Sequence, residues 1–172
     1  MLTAPRVRTW NEVLNDPSLH DLPYKIELTE KGQLLMSPVS KRHGLYAIRI
    51  NDLLRDLLPN GFRYAESSVL TSKGVRVADI AWASPEHPET EHPEAEHPEA
   101  GQGDVFTTAP EICVEVISSS NTTQEIRQKI QLYLDAGAVE VWTCTLEGEI
   151  QFYSSDGKLE RSGLAAGMPV KI

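Results

Sequence analysis

Two carboxylates in this sequence stand inside strand-like segments whose other residues are largely apolar. Glu115 interrupts the run Ile112–Ile117, and Asp79 interrupts the run Val75–Ala83. A charged carboxylate that is buried alone costs several kcal/mol or more, so each should be paired, protonated or bound to a cation. Aspartate is also a poor strand former. One such acid can mark a bulge or a strand edge, whereas two on neighbouring strands suggest a shared cation.

A lysine is placed to reach the same region. The segment that follows the Glu115 strand has apolar residues at helical spacing, which predicts an inward face made of Ile126, Ile130, Tyr133 and Leu134. Lys129 comes three residues after the first of these and four before Tyr133, so it lies on or beside that face. A lysine directed at a sheet that carries a buried glutamate is the strongest chemical indication in the sequence.

The surrounding pattern predicts an α/β fold. Asn121, with Gln124 three residues later, is the predicted N-cap of the Lys129 helix. In the Asp79 strand, alternation places Val75, Val77, Asp79 and Ala81 on one face and Arg76, Ala78, Ile80 and Trp82 on the other. Two further helices are predicted: a short one from Trp10, with a Thr9–Glu12 capping box, and a long one from Ser40 to Leu58. The remaining strands are predicted as hairpins over 25–36 and 61–83 and as single strands over 139–144 and 150–153.

Three further polar positions have both a structural and a functional interpretation. Glu27 points away from Ile26 and Leu28, which is most simply a solvated strand position. His43 lies in the first turn of the long helix and faces inward, as a hydrogen-bonded core histidine or a site residue would. Arg42 and Arg49 share a helix face that could meet phosphate or only water.

Composition limits the class of protein. The chain has 172 residues, of which 40% are hydrophobic and 24% charged, as expected for one globular domain over residues 1–172. No apolar run approaches the ~20 residues of a membrane span, and no secretory signal is evident, so we expect a cytoplasmic protein without membrane contact. The two cysteines, Cys113 and Cys144, fall in predicted strands and are expected to be reduced core residues.

An acidic, repetitive insert lies between the two carboxylate strands. Residues 86–100 read EHPET-EHPEA-EHPEA, within a low-complexity loop over 85–103. The net charge of the chain is −9, but removing the six glutamates of the insert leaves −3, so charge neither supports nor excludes a nucleic-acid substrate. The histidines could chelate a metal, although their five-residue spacing fits no usual zinc motif. We expect an inert surface loop that is dispensable for folding.

Taken together, these segments resemble the Uma-two family of candidate restriction endonucleases, within the PD-(D/E)XK nuclease superfamily. The resemblance covers most of residues 24–144 and rests on the segments IELTEKGQLLMSPVS with His43, VADIAWAS, APEICVEVISSSN and QEIRQKIQLYLDAGAVEVW. It implies a restriction-endonuclease-like α/β fold, with a mixed central sheet flanked by helices and an N-terminal hairpin.

The resemblance also implies a metal-dependent endonuclease that hydrolyses phosphodiester bonds, with DNA as the expected substrate. Asp79 and Glu115 would be metal ligands, joined by the Val116 carbonyl, with Mg²⁺ or alternatively Mn²⁺ as the ion. Lys129 would be the catalytic lysine and Glu27 an additional catalytic acid. His43, Tyr133 and Arg42 are the accessory residues that we expect, and a homodimer is the expected assembly.

The sequence departs from the superfamily pattern at three points. Ala78 precedes Asp79 where the superfamily has proline. Ile117 stands where a lysine is usual, so the site depends on Lys129 reaching back from the helix, and the segment 118–120 is Ser-Ser-Ser rather than Ser-Pro-Ser. None of these changes removes a ligand. Two alternatives stay open: a nuclease-fold binding or regulatory protein without turnover, and a structural protein in which Asp79, Glu115 and Lys129 form a buried ion network.

Overall fold

The computed structural model describes residues 8–90 and 104–172. Within these residues the chain forms three α-helices and one eight-stranded sheet, which confirms the predicted α/β class. The helices are α1 (Trp10–Leu14), α2 (Lys41–Leu57) and α3 (Thr123–Asp135). The strands are β1 (Tyr24–Thr29), β2 (Leu34–Pro38), β3 (Phe62–Thr71), β4 (Gly74–Ala83), β5 (Ile112–Ile117), β6 (Glu140–Thr145), β7 (Ile150–Ser154) and β8 (Gly157–Leu159).

Strand β4 organises the sheet because three strands pair with it. Its first edge pairs with β3 from end to end, whereas its second edge is divided between β1 and β5. β1 pairs with β4 only at positions 74 and 75, and β5 pairs with it only at positions 80–82. Residues 76–79 of β4 therefore have no strand partner on this edge in the described part of the chain. We call this opening between β1, β4 and β5 the fork.

The sheet is mixed and is covered on both faces. β5 and β6 are parallel, and α3 is the connection between them, whereas the other strand pairs are antiparallel. One face packs against α2 through a cluster that includes Ile50, Leu54 and Trp142. The other face packs against α3 through a cluster that includes Ile130 and Tyr133. Burial on both faces explains why β5 is nearly continuous in apolar residues.

The predicted alternation along β4 is wrong at one position, and that position is Asp79. Ala78 packs in the cluster on the α3 side, whereas Ile80, which should share its face, packs on the α2 side. Across the ladder, Ala65 pairs with Ile80 and Ser67 with Ala78, and the intervening Glu66 has a φ of 50°. A positive φ is uncommon for a residue other than glycine. Both strands are therefore irregular beside Asp79.

The helix ends follow capping rules, with one correction. Ser40 caps α2, as the sequence predicts. α3 is capped by Thr122 in a capping box with Glu125, not by Asn121 with Gln124. The Asn121 side chain instead accepts hydrogen bonds from the N–H and hydroxyl of Ser118. Asn121 is therefore used to close the β5–α3 loop, which leaves the adjacent threonine to cap the helix.

The first unit of the acidic insert packs on the domain, contrary to the expectation of an inert loop. His87 is only 6% exposed, and its Nε2 lies 3.2 Å from the Ala109 carbonyl oxygen. The Glu89 carboxylate accepts hydrogen bonds from the backbone N–H groups of Thr107 and Thr108. Neutral side-chain and backbone partners thus hold residues 86–90. The second and third units, with His92 and His97, lie outside the described residues.

Two smaller expectations can be compared with the structure. Cys113 and Cys144 are both buried and free, as predicted. No helix in the described residues is long and apolar enough to cross a membrane.

Candidate active site

The fork brings two carboxylates to backbone groups that the sheet leaves without a strand partner. Glu27, on β1, accepts a hydrogen bond of 2.9 Å from the Val77 N–H through Oε1. Asp79, on β4, accepts one of 2.7 Å from the Val116 N–H through Oδ2. Because a buried N–H without a partner is costly, these acids take the place of the missing ladder bonds. This is a physical reason for their positions within otherwise apolar strands.

Lys25 joins Asp79 to Glu115. Its Nζ lies 2.7 Å from Asp79 Oδ1 and 3.1 Å from Glu115 Oε2. The three side chains are 11%, 2% and 10% exposed, respectively. The Lys25 ammonium group therefore already bridges the two carboxylates that the sequence singles out. We refer to Lys25, Glu27, Asp79, Glu115 and Lys129 as the charged cluster.

Lys129 completes the cluster from α3. Its Nζ lies 2.8 Å from Glu27 Oε1 and 3.2 Å from each carboxylate oxygen of Glu115. Tyr133, one helical turn later, donates a hydrogen bond of 2.7 Å from its hydroxyl to Glu115 Oε1. Residues four apart share a helix face, so α3 presents both donors to the sheet together. The predicted inward direction of Lys129 is what the structure shows.

His43 approaches Asp79 from the first turn of α2. Its Nε2 lies 3.1 Å from Asp79 Oδ2, the oxygen that also accepts the Val116 N–H. The Asp79 carboxylate therefore has partners on β1, α2 and β5. A carboxylate fixed from three elements keeps its direction when any one partner moves, which is a useful property for a residue that must orient a ligand.

These contacts change the proton affinities of the buried groups. Burial alone would raise the pKa of Asp79, but the hydrogen bond from His43 and the charge of Lys25 lower it to about 2. Burial alone would lower the pKa of Lys25, yet the carboxylates of Glu115, Asp79 and Glu27 together raise it above its usual range. Burial, followed by the charge of Glu115, raises the pKa of Tyr133 well above its ordinary value. Asp79 and Lys25 are therefore both ionised at neutral pH, and the Tyr133 hydroxyl is a hydrogen-bond donor.

The cluster and its surroundings contain several buried charges. Three carboxylates face two ammonium groups within the cluster, and the buried Arg76 guanidinium lines the cavity that Glu27, Glu115 and Lys129 also line. The described residues contain no group of three or more His, Cys, Asp or Glu side chains arranged to hold a metal ion.

Cavities on several sides reach the cluster, and one of about 530 Å³ is lined by His43 and Asp79. A cavity of about 360 Å³ lies between β2 and α3, and its lining includes Glu27, Glu115 and Lys129. A cavity of about 250 Å³ is lined by Lys25, His43 and the segment 118–121, and also reaches Glu115 and Lys129. Lys129 thus lines both of these last two cavities, and Lys25 lines the smaller of them.

The structure brings together most of the residues that the sequence singled out. Six of these side chains meet at the fork through the contacts given above: Asp79, Glu115, Lys129, Glu27, His43 and Tyr133. Val116 contributes its N–H to Asp79. Since the N–H and C=O of a strand residue point to the same neighbour, its carbonyl is also directed towards β4.

One expectation about an individual residue needs correction. Glu27 is 5% exposed, so the solvated interpretation is wrong. β1 is covered at this point by α3, whose Lys129 neutralises the glutamate. Arg42 is exposed on α2 and takes no part in the described hydrogen bonds or ion pairs of the cluster, so its accessory role stays a prediction. Its position one residue before His43 turns it to a different helix face.

Lys25 is the site residue that sequence reasoning missed. It lies two positions before Glu27 on β1, so period-2 alternation predicts that the two side chains point to the same face. That spacing was a usable signal. Without knowledge that Glu27 is buried, however, the pair is indistinguishable from two solvated charges on a surface strand.

Comparisons with known proteins agree with the fold. The crystal structure of a protein from Anabaena variabilis, described as a "putative nuclease belonging to DUF820", has a TM-score of 0.68 with this chain. The two are 14% identical, over 85% of this chain and 86% of the other, so the likeness concerns the fold. A comparison with the curated proteins found no significant match. The model of the Uma2 family, described as "Putative restriction endonuclease", matches residues 16–164, so this chain belongs to the Uma2 family.

Proposed function

We propose that this protein is a divalent-metal-dependent endonuclease that hydrolyses phosphodiester bonds in DNA. The observation that carries the proposal is the convergence of Asp79, Glu115 and Lys129 at the fork. A structural ion network needs no access from outside the fold, whereas this cluster is reached by cavities on several sides. Family membership supports the same reaction class.

The donor set fits magnesium. Mg²⁺ prefers oxygen ligands, usually keeps several waters, and is commonly held by only one or two carboxylates together with substrate phosphate. Asp79 and Glu115 supply the two carboxylates, and the Val116 carbonyl is directed to the same region. Both acids already contact one shared cation, the Lys25 ammonium, so they can contact another without a change of fold. Mn²⁺, with the same ligand preference, is the alternative ion.

The residues of the fork have distinct parts in the proposed reaction. A bound divalent ion would supply Lewis-acid charge and a more acidic water. Lys129 presents an ammonium beside the acids, where it can stabilise negative charge that develops on the phosphate. Glu27 holds Lys129, Tyr133 holds Glu115, and His43 holds Asp79, so each reacting group is oriented by a second residue.

Several finer features stay predictions. We expect DNA rather than RNA as the substrate, because the family model carries the description "Putative restriction endonuclease". A cytoplasmic location and a homodimer are expectations from the sequence and from the resemblance. Sedimentation of the purified protein at several concentrations tests the homodimer directly.

The experiment that tests the proposal is a nicking assay on supercoiled plasmid. The wild-type protein should nick the plasmid with Mg²⁺ or Mn²⁺ and not with a chelator. Asp79→Asn should lower the rate by at least about 10²-fold through loss of an ionised ligand. Asp156→Asn is the matched control, because Asp156 is an exposed turn residue remote from the fork in sequence and contacts. Wild-type protein that cleaves neither DNA nor RNA with any divalent metal would refute the enzyme proposal.

One observation favours a second candidate, a binding protein with the nuclease fold and no turnover. Lys25 already bridges Asp79 and Glu115 and offsets part of their charge, as a protein without a metal would require. Such a protein would bind DNA equally well with and without a chelator and would not nick it. Equilibrium binding to a labelled duplex, measured beside the nicking assay, distinguishes the two candidates.

A further inference from the structure

Lys25 is the residue of the cluster whose ammonium group bridges both acids of the proposed metal site. Its Nζ contacts one oxygen of Asp79 at 2.7 Å and one of Glu115 at 3.1 Å, while its side chain is only 11% exposed. These are the two acids that would hold a divalent ion. An ammonium group and a metal ion cannot occupy the space between the same two carboxylates together.

We propose that Lys25 is a built-in competitor for the metal, whose ammonium holds the Asp79–Glu115 pair together until a divalent ion displaces it. The inference rests on the proposed function, since it concerns how that site acquires its metal. It makes Lys25 a positioning residue rather than a catalytic one. Its consequence is a metal affinity lower than two buried carboxylates would otherwise give.

The cluster can accommodate such an exchange in both charge and space. With Lys25 in place, three carboxylates face two ammonium groups. If Lys25 withdraws and a divalent ion enters, Lys129 and the ion together balance the three carboxylates. The displaced side chain has room, because Lys25 lines a cavity of about 250 Å³ beside Ser40 and Ser119. Lys129 cannot substitute for Lys25, since it binds Glu27 and Glu115 but has no contact with Asp79 among the described ion pairs.

The test is Mn²⁺ binding to the full chain, measured by titration calorimetry without substrate. Lys25→Met and Lys25→Gln should bind Mn²⁺ at least about tenfold more tightly than the wild type, because no cation has to be displaced. Lys25→Arg keeps the positive charge and should stay within a few-fold of the wild type. Lys73→Met is the control, because Lys73 is exposed and pairs with Glu30 on the β1–β2 turn.

A second measurement uses the wild-type protein, so it does not depend on a variant that folds. Acylation of lysines, followed residue by residue with mass spectrometry, should be slow at Lys25 in metal-free protein. It should become several-fold faster with saturating Mn²⁺, while labelling of Lys73 stays the same. Unchanged Lys25 labelling in protein that has bound Mn²⁺ would overturn the inference.

The outcomes also separate this inference from the proposed function. If the wild type binds Mn²⁺ and the neutral Lys25 variants bind it no more tightly, the competitor role is wrong and the metal site stands. If the neutral variants bind Mn²⁺ and the wild type does not, the competitor role is supported. If none of these proteins binds a divalent metal, both the competitor role and the metal-dependent function are refuted.

Discussion

The buried glutamates Glu140 and Glu115 look alike in the sequence, but they differ completely in the groups that donate hydrogen bonds to them. Glu140, at the start of β6, is 3% exposed, and Glu115, on the neighbouring β5, is 8% exposed. Glu140 accepts four hydrogen bonds of 2.7–3.0 Å, all from neutral donors: the Trp142 indole, the Ser162 hydroxyl and the N–H groups of Gly163 and Leu164. Glu115 is instead bound by two lysines and a tyrosine.

The difference indicates what each region does. The donors to Glu140 come largely from backbone or from packed side chains, so they hold one arrangement and attach the segment 162–164 to the sheet. The donors to Glu115 include two long lysine side chains that can move without unfolding the sheet. Fixed neutral donors make a structural anchor, whereas movable cations leave a carboxylate available to another ligand.

The largest effect on stability is expected at Glu140, the structural anchor. Glu140→Ala should lower the free energy of unfolding by about 3–5 kcal/mol, because it leaves several buried donors without an acceptor. Urea unfolding followed by circular dichroism measures the loss. Glu147→Ala, at an exposed turn, is the control and should stay within about 0.5 kcal/mol of the wild type. A loss below about 1 kcal/mol for Glu140→Ala would remove the distinction between the two regions.

Lys129→Met tests the opposite kind of region. The nicking rate should fall by about 10²–10³, the scale for loss of one stabiliser of the transition state. The free energy of unfolding should fall by less than about 2 kcal/mol, since Lys25 and Tyr133 still contact Glu115, and the Val77 N–H and the nearby charge of Lys25 still stabilise Glu27. Urea unfolding and plasmid nicking on the same preparation check both values. A stability loss of about 3–5 kcal/mol would favour a structural ion network instead.

Glu27→Gln should have a moderate effect that separates orientation from metal binding. Among the described residues, Glu27 contacts Lys129 and the Val77 N–H but forms no hydrogen bond or ion pair with Asp79. Loss of its charge should therefore lower the nicking rate by about 10–100-fold, as is usual for residues that orient a reacting group. The Mn²⁺ affinity from titration calorimetry should stay within a few-fold of the wild type. A large fall in that affinity would mean that Glu27 is itself a metal ligand.

The smallest effect is expected in the acidic insert. Deletion of residues 91–100 with a short Gly/Ser linker should change the free energy of unfolding by less than about 1 kcal/mol, because loop length acts only logarithmically. Deletion of 86–100 should cost about 1–3 kcal/mol, since it also removes the buried His87 and the bonds to Glu89. Equal losses for the two deletions, measured by urea unfolding, would show that the first unit contributes nothing.

The sequence was sufficient for the fold class and for most of the cluster, since apolar runs and alternation are local signals. It predicted the strands that carry Asp79 and Glu115, and the helix face that carries Lys129. It failed where a partner lies far away in the chain. Glu27 seemed solvated because nothing nearby in the sequence shows that α3 covers β1, and the burial of His87 depends on the distant Ala109.

The same limit explains Lys25 and Glu140. Whether an acid on an apolar strand is an anchor or a ligand depends on donors that are 22–90 residues away, such as Ser162 for Glu140 and Lys25 for Glu115. The irregularity of β4 at Asp79 is equally invisible to alternation. It arises where the ladder to β3 is distorted and the ladder to β5 has ended.

The most direct test of the central claim is a crystal structure of the protein soaked with Mn²⁺, with the ion located by its anomalous scattering. We expect one strong anomalous peak between the carboxylates of Asp79 and Glu115, within ligand distance of both, with Lys25 Nζ moved away from them. A peak at Glu140 or elsewhere, or a fork still bridged by Lys25 at Mn²⁺ concentrations that saturate the protein, would contradict the proposed metal site.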